Sequence, residues 1–297
     1  MHSTVVGTDE RATSISADYR RMITDDEFRQ LRTLIHRHTG IALSDHKRAL
    51  VCSRLSRRLR HYQFSHYSQY YELLCHGDPD GVELMEMINA ITTNKTDFFR
   101  EAHHFQFLTE HVFPEHRKKK TRRLRLWSAA AATGEEAYTL AITVREAFSD
   151  AADWDIKILA TDIDTRVLAH AHAGVYTLEQ ASPIPNTLLR RYFLKGHGDF
   201  KNKVCAKPAL AALLRFRRLN LLDAPWPMRA PFDVIFCRNV LIYFDKATQQ
   251  RLLERMAGML SPNGFLMLGH AEAIYGFDHL YRAVGHSIYQ IRTGRVT

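Results

Sequence analysis

Residues 124–141, LRLWSAAAATGEEAYTLA, decide the fold. A short apolar run (Leu124, Leu126, Trp127) leads into small residues, one glycine (Gly134), two acids (Glu135, Glu136) and then apolar residues at helical spacing. The pattern predicts a strand, a tight turn and a helix start, the connection at which open α/β sheets bind nucleotide-like ligands. Small residues let the backbone approach a ligand, and a helix N-terminus offers unpaired N–H groups. The two acids would repel a phosphate and suit a ligand with hydroxyls or positive charge. Taken alone, the stretch is equally compatible with an ordinary strand–helix connection whose acids complement the helix dipole.

The chain beyond it repeats the theme. Residues 156–160 predict a second strand ending in Thr161-Asp162-Ile163-Asp164. Asp162 stands where Rossmann-like folds grip a ribose, and Asp164 suits the cap of a helix over 165–172. A third strand in 213–222 ends in Asn220-Leu221, and a fully apolar one at 232–236 runs into Arg238-Asn239-Val240. A helix over 247–260, a turn at 262–264 and strands at 265–268 and 287–291 follow. Alternating strand and helix predicts a doubly wound sheet. Residues 174–212 break that rhythm and read as an insertion carrying a small β-element. Glu136, Asp162, Asn220 and Asn239 thus all fall at strand C-terminal ends, the ligand edge of such a sheet. With neither G-x-G-x-x-G nor a P-loop, dinucleotide and NTP ligands lose ground. S-adenosylmethionine, with its ribose, α-amino group and sulfonium, fits the set.

The N-terminal third is different. Residues 1–20 are polar and aperiodic, a flexible tail with no apolar core of a signal peptide. Thr24 and Glu27 form a capping-box signature ahead of Phe28, Leu31, Leu34 and Ile35, and Gly40 ends that helix. Ser44 or Asp45 is placed to cap a second helix with Leu50, Val51, Leu55, Leu59 and Tyr62 as its apolar stripe. Its other faces are basic: residues 47–60 hold Lys47, Arg48, Arg54, Arg57, Arg58 and Arg60 and one acid-free surface. Two short helices follow, so residues 21–90 predict a four-helix domain. Residues 91–103, with ITTNKTDFFRE at their start, predict a linker whose Asn94, Thr96 and Arg100 are spaced to line a site. The basic run at 117–125 reads as a solvated loop ahead of the first strand.

The 297 residues carry 41 Lys+Arg against 32 Asp+Glu, a formal net charge of +9, which points to an acidic partner. Four scattered cysteines, Cys52, Cys75, Cys205 and Cys237, read as buried free thiols of a reducing cytoplasm and not as a metal site. No run reaches the ~20 apolar residues of a membrane helix.

In order along the chain, ALSDHKRAL, TTNKTDFFREAHHF, RLWSAAAATGEEAYTLA, ATDIDTRVL, FRRLNLL, FDVIFCRNVLIYFD and PNGFLMLGHAE resemble the CheR-type chemotaxis receptor glutamate methyltransferases. The resemblance covers residue 24 to the C-terminus. It implies an all-α N-terminal domain and, over 104–297, a Rossmann-like class I S-adenosylmethionine-dependent methyltransferase sheet with an inserted β-subdomain. It implies a cytoplasmic enzyme, recruited to membrane receptor arrays, that converts glutamates of chemoreceptors to 5-O-methyl esters and releases S-adenosylhomocysteine. By motif, the cofactor contacts are Asn94, Thr96, Arg100, Glu136, Asp162, Asn220, Leu221, Asn239 and Val240. Arg100 would hold a carboxylate of cofactor or substrate, and Tyr243 would orient the substrate carboxylate or simply pack. Arg54, Arg57 and Arg60 would meet the receptor, and Gly196-His197-Gly198 resembles the loop with which some members hold a receptor's C-terminal peptide. No metal, no nucleic acid, no membrane insertion and a monomeric state are expected. Ala137 stands where the family usually has proline, and Lys95 where it often has leucine. A nucleic-acid methyltransferase is the runner-up, disfavoured because the fourth strand ends in Arg238-Asn239-Val240-Leu241 and not in an N/D-P-P-Y/F element. A non-catalytic S-adenosylmethionine-binding adaptor is the third alternative.

Overall fold

The computed structural model describes residues 23–148, 153–229 and 231–292; the expected tail at 1–20 lies outside them. The chain divides into two compact units, Met1–Thr92 and Thr93–Thr297. Among the described residues no helix is long and apolar enough to cross a membrane.

The first unit is helical. Helix α1 (Asp25–Thr39) starts at the Thr24–Glu27 capping box and stops at Gly40, whose φ of 73° is the left-handed C-cap. Phe28, Leu31, Leu34 and Ile35 are its buried stripe. Helix α2 (Arg48–His61) starts later than expected. Residues Asp45–Lys47 form a 3-10 turn, and Ser44 makes no side-chain cap bond to it. Val51, Leu55 and Leu59 of α2 are buried as expected, while Leu50 and Tyr62 are half-buried. Helices α3 (Tyr67–Glu72) and α4 (Val82–Ile91) complete the unit. Its polar centre is Glu83, 3% exposed. The Glu83 carboxylate accepts from Arg58, from Tyr62 (2.8 Å) and from Tyr70 (2.6 Å). Burial pushes its pKa up, but these hydrogen bonds together outweigh burial and hold it below the usual range.

The second unit is the α/β layer. After α5 (His103–Phe107), a π-helical stretch (Leu108–Val112) and α6 (Phe113–Arg117), the strand β1 (Arg123–Ser128) enters the sheet. It is followed by α7 (Glu135–Ala147), β2 (Asp155–Asp162) and α8 (Thr165–Ala173). Then come β3 (Val175–Thr177), α9 (Asn186–Tyr192), β4 (Phe193–Lys195), β5 (Lys203–Ala206) and α10 (Pro208–Ala211). The chain closes with β6 (Leu214–Arg218), β7 (Phe232–Cys237), α11 (Lys246–Met259), β8 (Leu260–Leu268), β9 (Tyr281–Gly285) and β10 (Ile288–Ile291).

The large sheet runs β6-β2-β1-β7-β8-β10-β9, parallel from β6 to β8, with β10 antiparallel to β8 and β9. The order reverses at β1, between β2 and β7, which is the switch point where open sheets leave a crevice. Alternation along the central strands explains why the sheet is covered on both faces. Leu124, Leu126, Val234 and Phe236 join one core with Leu140 and Val144 of α7. Trp127, Ile235 and Cys237 join the other with Leu252 and Met256 of α11. The insertion expected at 174–212 is a three-stranded antiparallel sheet, β3-β5-β4, with α9 and α10.

Three expectations change. Pro262-Asn263-Gly264 is no turn between elements; it lies inside β8, and the register of β8 on β7 shifts between Phe232 and Val234 to absorb it. Periodicity also missed β9, an edge strand that among the described residues pairs with β10 alone. Among the cysteines only Cys237 is buried, whereas Cys75 is exposed. The basic run at 117–125 is exposed over 117–122, as expected of a solvated loop, with some of its charges paired locally. Arg122 pairs with Asp153 (2.6 Å), Arg125 with Asp155, and Arg117 caps the carbonyl of Ala147.

Candidate functional site

The strand ends expected to carry the site do converge on one edge, and two charged clusters stand there. The first is centred on Arg238, directly after β7, whose side chain is 2% exposed. Its guanidinium reaches Glu101 (3.3 Å), Glu136 (3.2 Å) and the carbonyl of Arg100 (2.5 Å). Its carbon centre lies 5.7 Å and 5.8 Å from the Phe105 and Phe236 rings. Glu136 is further held by the hydroxyl of Ser128, which donates at 2.6 Å from the end of β1. Burial pushes the Glu136 carboxyl up, and Arg238 and Ser128 oppose it. For Glu101 the balance tips the other way. Burial is opposed by Arg238, the Asn239 amide and His270, which together keep it below the usual carboxylate range.

Asn239 links this cluster to the loop before α5. Its Oδ1 accepts from Arg100 Nη2 (3.0 Å), its Nδ2 donates to Glu101 (3.3 Å) and its backbone N–H donates to Glu272 (2.7 Å). Glu272, 5% exposed, also accepts from the backbone N–H of Gly269 (2.7 Å). A Cβ at Gly269 would stand 2.9 Å from the Asn239 side chain, so glycine is needed for this approach. Phe99, Glu101, Ala132 and Asn239 all have φ between 46° and 57°. Left-handed backbone at non-glycine residues costs about 1 kcal/mol or more each, and such strain gathers where a site needs fixed geometry.

The second cluster closes the end of β2. Asp162, 8% exposed, accepts backbone N–H groups from Ala132 (2.9 Å) and Asp164 (3.0 Å). Burial nevertheless pushes its pKa up to about 6. Asp164 caps α8 as expected, accepting from Arg166 and Val167, and also receives Asn94 Nδ2 at 2.8 Å. Asn220, after β6, folds its Oδ1 onto the N–H of Leu222 (3.1 Å), and Leu221 is buried beside it. Thr96, Val240 and Tyr243 are half-buried.

Sequence reasoning named Glu136, Asn94, Arg100, Asp162, Asn220 and Asn239, and these lie along the edge. Gly134 has φ 100°, and a Cβ there would stand 2.8 Å from Ala171 and from the Tyr176 hydroxyl, so the turn also needs glycine for the packing of α8 and β3. Sequence reasoning missed Glu101, Arg238 and Glu272, buried charges whose importance comes from tertiary burial. Arg54 was placed among receptor-facing residues. Its guanidinium instead donates to the carbonyls of Ile91 and Thr92 (2.9 Å for the latter), closing the C-terminus of α4. Arg57, Arg60 and His61 remain exposed on α2. They line a cavity of ≈ 470 Å³ with Arg58. In the insertion, Gly196 sits where a Cβ would overlap the carbonyl of Phe200, and Gly198 has φ 56°.

Residues 94–290 match the family model described as CheR methyltransferase, SAM binding domain, and residues 26–92 the CheR methyltransferase all-alpha domain. The chain belongs to the CheR methyltransferase family. A Pseudomonas aeruginosa protein named chemotaxis protein methyltransferase 2 is 46% identical over 90% of this chain and 93% of its own length. The Escherichia coli chemotaxis protein methyltransferase is 40% identical over 92% and 93%.

The CheR cofactor is S-adenosylmethionine, and the edge suits it. Glu101, Glu136, Asp162, Asp164 and Glu272 outnumber Arg100 and Arg238, so the edge favours a cationic ligand and disfavours a phosphate. Asp162 stands at the end of β2, the position at which open α/β sheets meet the ribose of a nucleotide-like ligand.

Proposed function

We propose that this chain methylates glutamate side chains of chemoreceptor cytoplasmic domains, forming glutamyl 5-O-methyl esters. The observation that carries the proposal is its likeness, over nine-tenths of the chain, to proteins named chemotaxis protein methyltransferase. The acidic strand edge is consistent with it. When bound, S-adenosylmethionine supplies a methyl group activated by its sulfonium. An exposed glutamate, pKa ~4.3, is already an ionised nucleophile at neutral pH, so no general base is required. The chain's residues then act by holding the reacting groups in line. Asn94, Thr96, Glu136, Asp162, Asn220, Leu221, Asn239 and Val240 hold the cofactor. Arg100, its Nη1 donating to the Lys95 carbonyl at 3.0 Å and its Nη2 to Asn239, retains N–H groups for a carboxylate. Among the described residues the Tyr243 hydroxyl has no hydrogen-bond partner, which leaves it available to orient the substrate.

The exposed Arg57, Arg60 and His61 face of α2 is the surface proposed to meet the acidic receptor, giving steering more than affinity. With labelled S-adenosylmethionine and receptor-bearing membranes, wild-type protein incorporates methyl groups, whereas an adaptor would incorporate none. Arg57→Glu with Arg60→Glu raises KM for the receptor and leaves S-adenosylhomocysteine affinity unchanged; an unmoved KM removes the surface from the account. The inserted β-subdomain is proposed to hold the receptor's C-terminal peptide at Gly196-His197-Gly198. Deleting that receptor tail weakens binding, and equal affinity without it contradicts the tether. The protein acts as a cytoplasmic monomer recruited to receptor arrays.

A further inference from the structure

Beside the Arg238 cluster converge three histidine side chains to which the proposed methyl transfer gives no role. His103 opens α5, His270 follows β8 and His286 sits in the turn between β9 and β10. One imidazole nitrogen of each lies within 4.8 Å of the others. His103 Nδ1 and His270 Nε2 face each other at 3.4 Å. Two nitrogens bound tetrahedrally at 2.0–2.1 Å stand about 3.3 Å apart, so this pair already has the spacing of ligands on one ion. Small side-chain rotations bring in the third.

The outer contacts favour the same end. His103 Nε2 lies 3.1 Å from the carbonyl of His286, so this nitrogen carries the proton and Nδ1 presents its lone pair. His286 Nδ1 lies 3.4 Å from the Ser287 hydroxyl, which can accept a hydrogen bond from Nδ1–H and leave Nε2 as the ligand atom. Metal-binding histidines characteristically donate their other ring N–H to a carbonyl or similar group, which fixes the tautomer. His270 and His286 are exposed, so an ion has an entry path and an open coordination position.

We propose that His103, His270 and His286 form a three-imidazole site for a divalent transition metal ion of the zinc class. Imidazole ligands select zinc, cobalt, nickel or copper over magnesium or calcium. The site adjoins the methyl-transfer edge. The backbone N–H of His270 donates to Glu101 at 3.4 Å, and Glu101 holds both Arg238 and Asn239.

The test uses the untagged, full chain freed of metal with chelator. Titrated with Zn2+ by calorimetry and with Co2+ by visible absorption, wild-type protein binds one ion, and the Co2+ spectrum shows imidazole coordination. His286→Gln, in the exposed turn between β9 and β10, weakens Zn2+ binding by about 100-fold, at the upper end of what losing even a second-shell partner costs. It leaves methyl transfer in chelator and the melting temperature unchanged. His270→Gln gives the same loss of Zn2+ binding and serves as a second variant for that readout alone, since His270 also helps to hold Glu101. Absence of stoichiometric binding overturns the proposal. So does unchanged affinity in both variants, which would place the ion on others of the 17 histidines. Methyl-transfer activity in chelator is measured separately, so failure of this site and failure of the proposed function are distinguishable.

Discussion

Arg238→Met destabilises the α/β unit by about 3–5 kcal/mol, the cost of removing one partner from a buried ion pair, and abolishes methyl transfer. The guanidinium is 2% exposed and stands against two carboxylates that are themselves largely buried, Glu101 and Glu136. Without it both become unpaired charges in a poorly solvated place, and the Arg100 carbonyl loses its donor. Methionine keeps most of the volume, so packing against Phe105 and Phe236 survives and the loss is electrostatic. Chemical denaturation reads the stability and labelled methyl transfer reads the activity. Adding Glu101→Gln to Arg238→Met recovers part of the stability, because a neutral amide no longer needs the cation. Additive losses in the double variant would show that the two residues do not act as a pair.

Asp162→Ala lowers affinity for S-adenosylhomocysteine by about 100-fold, corresponding to about 3 kcal/mol for hydrogen bonds to a charged acceptor. The wild-type affinity also depends on pH. Burial raises the Asp162 pKa to about 6 in the folded chain, above the ~3.9 of an unfolded aspartate. Folding therefore favours its protonated form. Its contribution to stability is full below about pH 4 and is lost as pH rises through about 6. Ligand hydroxyls need the ionised form as acceptor, so affinity rises across the same interval. Asp162→Asn, isosteric but unable to ionise, has lower affinity with no step near pH 6. A flat wild-type profile between pH 5 and 7 contradicts the role given to Asp162.

Much of this was legible in local pattern. Gly40, the Thr24–Glu27 box and Asp164 are caps whose chemistry is contained within a few residues, and each does what its neighbours require. The apolar runs within β1 (Leu124, Leu126, Trp127) and β7 (Phe232, Val234, Ile235, Phe236) read as central strands because they are short and dense in residues that both covered faces of the sheet can bury. The strand-end polar residues followed from where those strands stop. What was not legible depends on parts of the chain that are distant in sequence. Arg238 and Glu101 are 137 residues apart and Arg238 and Glu136 lie on different elements, so nothing near any of them announces a buried ion cluster. Arg54 looked like its neighbours Arg57 and Arg60; only the arrival of α4 beside α2 turns it to the carbonyls of Ile91 and Thr92. Gly134 read as part of a tight turn, but the atoms that a side chain there would meet belong to Ala171 and Tyr176, far along the chain. The apparent turn at Pro262-Asn263-Gly264 was misread for a related reason. A strand can carry turn residues through a bulge when its partner, here β7, supplies the register.

The most direct test of the central claim is the chemical lability of the product. Receptor-bearing membranes are incubated with the protein and S-adenosylmethionine carrying a labelled methyl group, and the washed protein fraction is treated with mild base. Transfer to glutamate predicts that the label leaves as methanol, because carboxylate esters hydrolyse under these conditions, that Arg238→Met releases none above background, and that Asp162→Ala releases less than wild type at limiting cofactor. Label that stays on the protein through base treatment, or that partitions with nucleic acid, would contradict glutamyl ester formation.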